Sequence, residues 1–327
     1  MQVVVVARHL EIPWALDIAP DGRLFFTERP GRIKVLAPGG SEPILLATMS
    51  VAHEGEGGLL GLALDGNFSQ SGVLFVYYTY RDGKRLWNRV VRLTEKEGRL
   101  VREKTLLDRI PGAPVHNGGR IKVGPDGRLY ITTGDAANRS LAQDLKSLAG
   151  KILRINLDGS IPQDNPFPGS PIYSYGHRNP QGIAWHPMTK ALFITEHGPI
   201  GHDEVNLIHP GKNYGWPSIA GWGGFSTFVD PILESEDGTW APAGAVFYRG
   251  DLLFATLRGA HLHRVVLAPN HTQVQSEEHL FFQEIYGRLR DVIQGPDGFL
   301  YVATSNRDGR GGPAPDDDRI LRLVPVR

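Results

Sequence analysis

The sequence predicts an all-β fold, a six-bladed β-propeller of four-stranded antiparallel sheets. Three observations carry this. A strand, turn, strand pattern recurs six times along the 327 residues. The recurring turn is Pro-Asp-Gly or a relative of it. Helical periodicity is scarce. One such unit cannot bury both faces of its sheet alone, whereas radial stacking buries each unit against its neighbours. At 41% hydrophobic residues the chain can build the large core this requires. No linker interrupts it, so a single domain is expected over residues 1–327. A two-domain β-sandwich is the rival, and the count of six favours the propeller.

The copies follow in order. The first is WALDIAPDGRLFFTERPGRIKVL, in which Pro presets the turn's first φ and Gly accepts a positive one. The second is LLGLALDGNFSQSGVLFVYYTY with NRVVRL, and the third GGRIKVGPDGRLYITTGD with GKILRINL. The fourth is GIAWHPMTKALFITEHG with DEVNLI, the fifth AGAVFYRGDLLFATLRGAHLHRVVL, and the sixth LRDVIQGPDGFLYVATSNRDG with DRILRL. Each reads as two apolar strands around a turn and then a third. The loops between strands vary in length, and such loops carry function. One short loop helix is expected in SLAQDLKSLAGK, with Ser140 as N-cap and Gly150 near its end.

Composition narrows the function. Lys+Arg and Asp+Glu both total 35, and no basic stripe stands out, so a nucleic-acid partner is not expected. No apolar run reaches membrane-spanning length. The absence of cysteine excludes disulfides, thiolate metal sites and a Cys nucleophile. No nucleophile elbow, Walker loop or GxGxxG fingerprint occurs. The opening MQVVVV is too short for a secretory leader.

Four motifs could carry chemistry. His116 and Asp135 bracket the third hairpin, so the chain's return can make them neighbours. A carboxylate on one ring nitrogen would leave the other free as a base; a strand cap and a turn acid are the plain alternative. Arg178 and Asn179 precede the fourth hairpin, where Arg could be a surface charge, polarise a carbonyl or hold an anion. Glu196, His197, His202, Asp203, Glu204 and His209 crowd one loop region. Their carboxylates suit a hard cation such as Ca²⁺, or a solvated polar loop. Arg288 and Arg290 share a strand face, and with Arg258 they could converge on an anion at one end of the channel or pair with acids such as Asp291. The run Asp316 to Asp318 reads as a solvated loop.

With GGLLGLAL, HNGGRIKVGPDGRLYITTGD, QDLKSLAGKILRIN, GHRNPQGIAW, HGPIGHDEVNLIHPGKNYGWP and RLRDVIQGPDGFLYVATS in hand, the chain resembles the soluble pyrroloquinoline-quinone (PQQ) dependent glucose/sorbosone dehydrogenases, with a closer likeness to the bacterial aldose sugar dehydrogenases. The resemblance implies aldose oxidation at the anomeric carbon to a lactone, with PQQ and Ca²⁺ as cofactors and a separate electron acceptor. It implies His116 as the base, Asp135 as its orienting acid, and Arg178 and Asn179 against the quinone. Arg288 and Arg290 would hold PQQ carboxylates, Arg258 would be a basic cofactor contact, and Trp240 an aromatic beside it. Gly198 and Pro199 carbonyls would bind a Ca²⁺ that bridges to PQQ; Glu204 and the Tyr214 backbone would bind a second. Glu56 stands close to the cofactor where the family often has Gln, and His197 where Gln is common. The insertions that shape glucose-specific pockets look short, which implies broad sugar specificity. A periplasmic or extracellular location follows from the same resemblance. The alternatives are a calcium-dependent propeller lactonase or other hydrolase, which would not need the arginines, and a non-enzymatic propeller binding sugar or protein.

Overall fold

The computed structural model describes residues 2–96, 98–280, 282 and 285–324. Six four-stranded antiparallel sheets make up the propeller. Five of them take their strands in chain order. The sixth is closed by the N-terminus: Gln2–Ala7 pairs along Ile320–Val324, with Val5 opposite Leu321. First and last segments of the chain thus share one sheet and lock the ring.

Burial follows from this stacking. In each blade the second strand has neighbours on both faces, so Leu24–Glu28, Leu129–Thr133 and Leu192–Glu196 are buried at every position. Continuous apolar runs, rather than alternation, are what such strands need. Phe25, Phe75, Phe193 and Phe254 occupy these strands in four blades, each at most 1% exposed. Truncating any of them to Ala would cost about 3–5 kcal/mol. The outermost strands Ile44–Thr48 and Val274–Leu280 are largely exposed.

The Pro-Asp-Gly turns close as the sequence predicts. Gly127 takes φ +71°, and Asp126 Oδ1 accepts the Arg128 N–H at 3.2 Å. At the opposite end of the blades the first strand slips register against the second in five of the six sheets. Such slips re-aim side chains. Trp14, Gln181 and Arg290 sit at three of them. Buried threonines stitch blades together there: Thr27 Oγ1 donates to Leu60 O at 2.6 Å, and Thr195 Oγ1 to Ala243 O at 2.7 Å.

The helix expected from Ser140 does not form. Only a 3₁₀ turn, Arg139–Ala142, is present. The Lys151 ammonium donates to the carbonyls of Leu141, Ala142 and Ala149 at 2.8, 3.0 and 2.6 Å, so the loop gathers around one cation instead of forming an amide ladder. The Ser140 hydroxyl bonds Asn138 Oδ1 at 2.8 Å and caps nothing. A one-turn helix that the sequence did not suggest, Phe68–Ser71, puts Phe68 edge-on to Phe25.

Candidate active site

The hairpin Ile121–Val123 and Leu129–Thr133 returns the chain to the end from which it started, and His116 meets Asp135 there, Nδ1 to Oδ1 at 2.8 Å. Asp135 is fully buried. Its Oδ1 also takes the Ala137 N–H at 2.9 Å, and its Oδ2 the Trp216 indole N–H at 2.9 Å. A carboxylate accepts only, so the proton of neutral His116 resides on Nδ1 and Nε2 presents a bare lone pair.

The Gly residues around His116 have steric reasons. His116 sits at φ +59°, a conformation costly for a non-Gly residue, and its N–H donates to Glu56 Oε2 at 3.0 Å. A Cβ on Gly134 would stand 2.0 Å from the His116 carbonyl oxygen. Asn117 is buried as a clip, exchanging bonds with the Ala113 backbone at 3.1 and 2.7 Å.

A charged cavity opens beside the dyad, lined by Asn117 and Gly118 on that side. Arg29, Arg288, Arg290 and Arg310 face it, against the carboxylates of Glu56 and Asp308. Arg288 Nη2 and Arg290 Nη2 share Asp308 Oδ2 at 2.8 and 3.4 Å, and Arg290 Nη1 reaches Gln181 Oε1 at 2.8 Å. Asp291 pairs with Arg120 instead, at 2.8 Å. Arg120 also reaches the backbones of Trp14, Gln181 and Arg290, so this ion pair fills the channel beneath the cavity.

Positive charge is under-compensated there. Burial and the neighbouring Arg288 and Arg29 pull Arg290 down to about 9, despite Asp308 and Glu56. Its buried Nε has no hydrogen-bond partner, and the same is true of Arg178 Nε. Burial tends to raise the Glu56 carboxyl, but the His116 amide, His197, Arg310 and the His116 ring hold it below its ordinary value. Arg310 pairs with it at 2.9 Å.

His197 also lines the cavity. Its Nε2 donates to Pro242 O at 2.8 Å. Burial, with Arg290 and Arg178, draws its pKa to about 4 against Asp203 and Glu56, so the ring is neutral near pH 7. Arg178 joins the two halves of the site. Its carbonyl accepts the Asp135 N–H at 2.8 Å, its Nη1 donates to His197 O at 3.2 Å, and its guanidinium lies 5.4 Å from the Trp216 ring centre. Burial lowers its pKa in spite of Asp135 and Glu196. Asn179, also buried, takes the Gly118 N–H on Oδ1 at 3.0 Å and so braces the two loops.

Gly198, Pro199, Glu204 and Tyr214, expected at two metal sites, line one small pocket with Arg178, Glu196 and Trp216. Glu204 lies directly across from Glu196 on one neighbouring strand and from Glu234 on the other. Like charges placed opposite each other destabilise a sheet. Burial, Glu196 and Glu234 push Glu204 up to about 8, opposed by bonds from Asn206 and the Gly221 amide. This crowding of carboxylates is what a hard cation would relieve.

Of the expected cofactor contacts, Glu56, Arg288 and Arg290 line the charged cavity, whereas Arg178 and Asn179 stand behind it and two more lie further off. Arg258 is exposed and its neighbour Leu257 faces the cavity. Trp240 packs into the fifth blade, 5.7 Å from Phe254 and 4.7 Å from His263 between ring centres. Among the described residues, the cavity lining includes neither.

Residues 10–322 match the family model for glucose/sorbosone dehydrogenases. The chain belongs to that family. As a glucose/sorbosone dehydrogenase family member it is an oxidoreductase with well-matched relatives. A solved Thermus thermophilus protein described as an oxidoreductase (glucose dehydrogenase) is 49% identical, with a TM-score of 0.93 over 99% of each chain. The PQQ-bound aldose sugar dehydrogenase of Streptomyces coelicolor is 40% identical, with a TM-score of 0.91 over 98% of this chain and 97% of that one. The Escherichia coli aldose sugar dehydrogenase YliI is 35% identical over 94% of this chain and 91% of its own.

Sequence reading of this family member missed Arg29, Asp308, Arg310 and Trp216. Arg29 had a signal: it lies two residues after Thr27, the threonine near the end of its strand, as Asp135 does after Thr133 and His197 after Thr195. Asp308 and Arg310 fall in an irregular loop with no such period.

Proposed function

We propose that this protein oxidises aldose sugars at the anomeric carbon to lactones, with PQQ as cofactor, Ca²⁺ as its metal and a separate electron acceptor, over a broad range of sugars. The observation that carries this reading is the bare Nε2 of His116, oriented by a buried carboxylate beside a cavity with four arginines and only two acids. PQQ has three carboxylates, and the unpartnered Nε of Arg290 inside that cavity fits a polyanion. The PQQ-bound state of the similar Streptomyces enzyme supports the same choice.

In this reading Arg288 and Arg290, with Arg29, hold cofactor carboxylates, and Glu56 and Asn179 border them. Gly198 and Pro199 carbonyls, Glu204 and the Tyr214 backbone would supply oxygen ligands for Ca²⁺. PQQ, when bound, supplies the two-electron acceptor for the hydride that leaves the sugar's C1. His116 Nε2 takes the anomeric hydroxyl proton, which makes C1 a better hydride donor as its C–O bond becomes the lactone carbonyl; such a base is worth roughly 10²–10⁴-fold. Asp135 stabilises the resulting imidazolium, and Arg178 keeps positive charge next to the reacting oxygens. Among the described residues no helix is long and apolar enough to cross a membrane. A periplasmic or extracellular location completes the proposal.

The test is reconstitution with PQQ and Ca²⁺, followed by dye reduction across a panel of mono- and disaccharides. Turnover on several aldoses is expected. Stoichiometric PQQ uptake without turnover on any of them would defeat the proposed activity.

A further inference from the structure

We infer that the fifth blade carries a binding site for a divalent transition-metal ion, formed by His261, His263 and His279 and separate from the cavity above. Sheet geometry assembles it. His263 lies in Leu262–Leu267 and His261 immediately precedes that strand; successive side chains of extended chain alternate faces, so the two, two residues apart, share a face. His263 lies directly opposite His279 on Val274–Leu280, which brings the third ring to the same face. One ligand atom from each of the three histidines lies within 4.8 Å of the others. His261 and His263 are buried and His279 is exposed, so the site opens to solvent on one side.

Proton accounting shows what the cluster lacks. His261 Nδ1 is 2.8 Å from the Gly259 carbonyl oxygen, which only accepts, so Nδ1 carries the hydrogen. His263 Nε2 is 2.7 Å from the Glu277 carboxylate and carries its hydrogen by the same logic. In the neutral rings, His261 Nε2 and His263 Nδ1 therefore both present bare lone pairs, and they face each other at 3.3 Å. Two such lone pairs repel unless something positive lies between them.

A metal ion suits the spacing of this buried pair, and the exposed His279 ring, now stacked on His261 at 4.2 Å between centres, would turn to complete the set. Imidazole nitrogens at about 2.0–2.1 Å from a tetrahedral ion stand about 3.3 Å apart. The outer ring nitrogens of both buried histidines already donate to a carbonyl and a carboxylate, the arrangement that orients metal-bound imidazole. Nitrogen donors select ions such as Zn²⁺, Co²⁺, Ni²⁺ or Cu²⁺ over Ca²⁺. His279 supplies the third nitrogen, and the solvent side leaves room for water as the fourth ligand.

The experiment uses the full chain, stripped with EDTA and dialysed. Zn²⁺ is titrated by calorimetry and Co²⁺ by visible absorption, in the presence of Ca²⁺. Two variants are compared with it: His279→Ala, whose exposed ring can be removed without opening the core, and His261→Gln. One-to-one uptake is expected, with the ligand-field bands of a four-coordinate cobalt nitrogen site. His279→Ala should weaken binding at least about tenfold, as loss of a metal-holding group does, and His261→Gln should remove the bands. No uptake at 100 µM metal, or uptake equal in folded wild type and both folded variants, would overturn the assignment.

Discussion

The indole of Trp216 donates to Asp135 Oδ2 at 2.9 Å, while Oδ1 of the same carboxylate holds His116 at 2.8 Å. Asp135 is thus pinned from both sides before any substrate arrives. Trp216→Phe keeps an aromatic ring beside Arg178 and Arg139, whose guanidiniums lie 5.4 Å away, but removes the donor. A buried carboxylate that loses a charge-assisted bond costs about 1.5–3 kcal/mol. Urea unfolding should register that loss, and turnover should fall because the imidazole is less firmly oriented. Equal stability in wild type and variant would show that the indole bond contributes nothing.

His116→Gln removes the bare nitrogen and leaves the Glu56 contact, which uses the backbone amide. Sugar turnover should fall by roughly 10²–10⁴-fold. Uptake of PQQ, followed by absorbance, should stay close to wild type, since the arginines of the cavity are untouched. A rate within a factor of two of wild type would remove His116 from the role of base.

What could be read in advance depended on how local the information was. His116 and Asp135 flank one hairpin, so period-two pairing alone brings them together. The strands were legible because these second strands each open on an apolar run, LFF, LYI and LFI, right after a turn. Arg288 and Arg290 were legible as a pair, but their shared acid, Asp308, comes from a loop whose path no repeat specifies. Arg120 drew no notice in the sequence, yet it spans the channel to Asp291 across 171 positions of sequence. The helix expected around Ser140 failed for a related reason. Its carbonyls answer to Lys151, a tertiary partner that helix propensity does not see.

Asp17 gives a stability test that does not involve catalysis. It accepts the Leu64 and Ile18 amides at 2.8 and 2.9 Å. Burial raises its pKa to about 6 from an ordinary 3.8, with Leu64 and Lys122 opposing and Asp291 adding to the rise. The folded state therefore holds this proton more tightly than the unfolded state. The stabilisation is complete below about pH 3.8 and is lost as pH climbs through about 6. Urea midpoints of wild type and Asp17→Asn at pH 4 and pH 7.5 should diverge accordingly, with wild type losing ground at the higher pH by up to about 3 kcal/mol. A difference that does not change with pH would show that Asp17 is ionised throughout.

Glu56 sets the last prediction, because it works for and against the same cavity. Its Oε2 holds the strained His116 backbone at 3.0 Å, and its Oε1 neutralises Arg310 at 2.9 Å. As an ionised acid it also offsets the arginine field that a tricarboxylate would meet. Glu56→Gln retains an oxygen for the His116 amide and removes the negative charge, so the two effects separate. Binding of PQQ should tighten about three- to tenfold, equivalent to about 0.7–1.4 kcal/mol. Added salt should reduce that gain, as it screens charges near the solvent. If the variant instead binds PQQ more weakly while its unfolding midpoint is unchanged, Glu56 acts mainly by tethering Arg310 in place, and the repulsion argument fails.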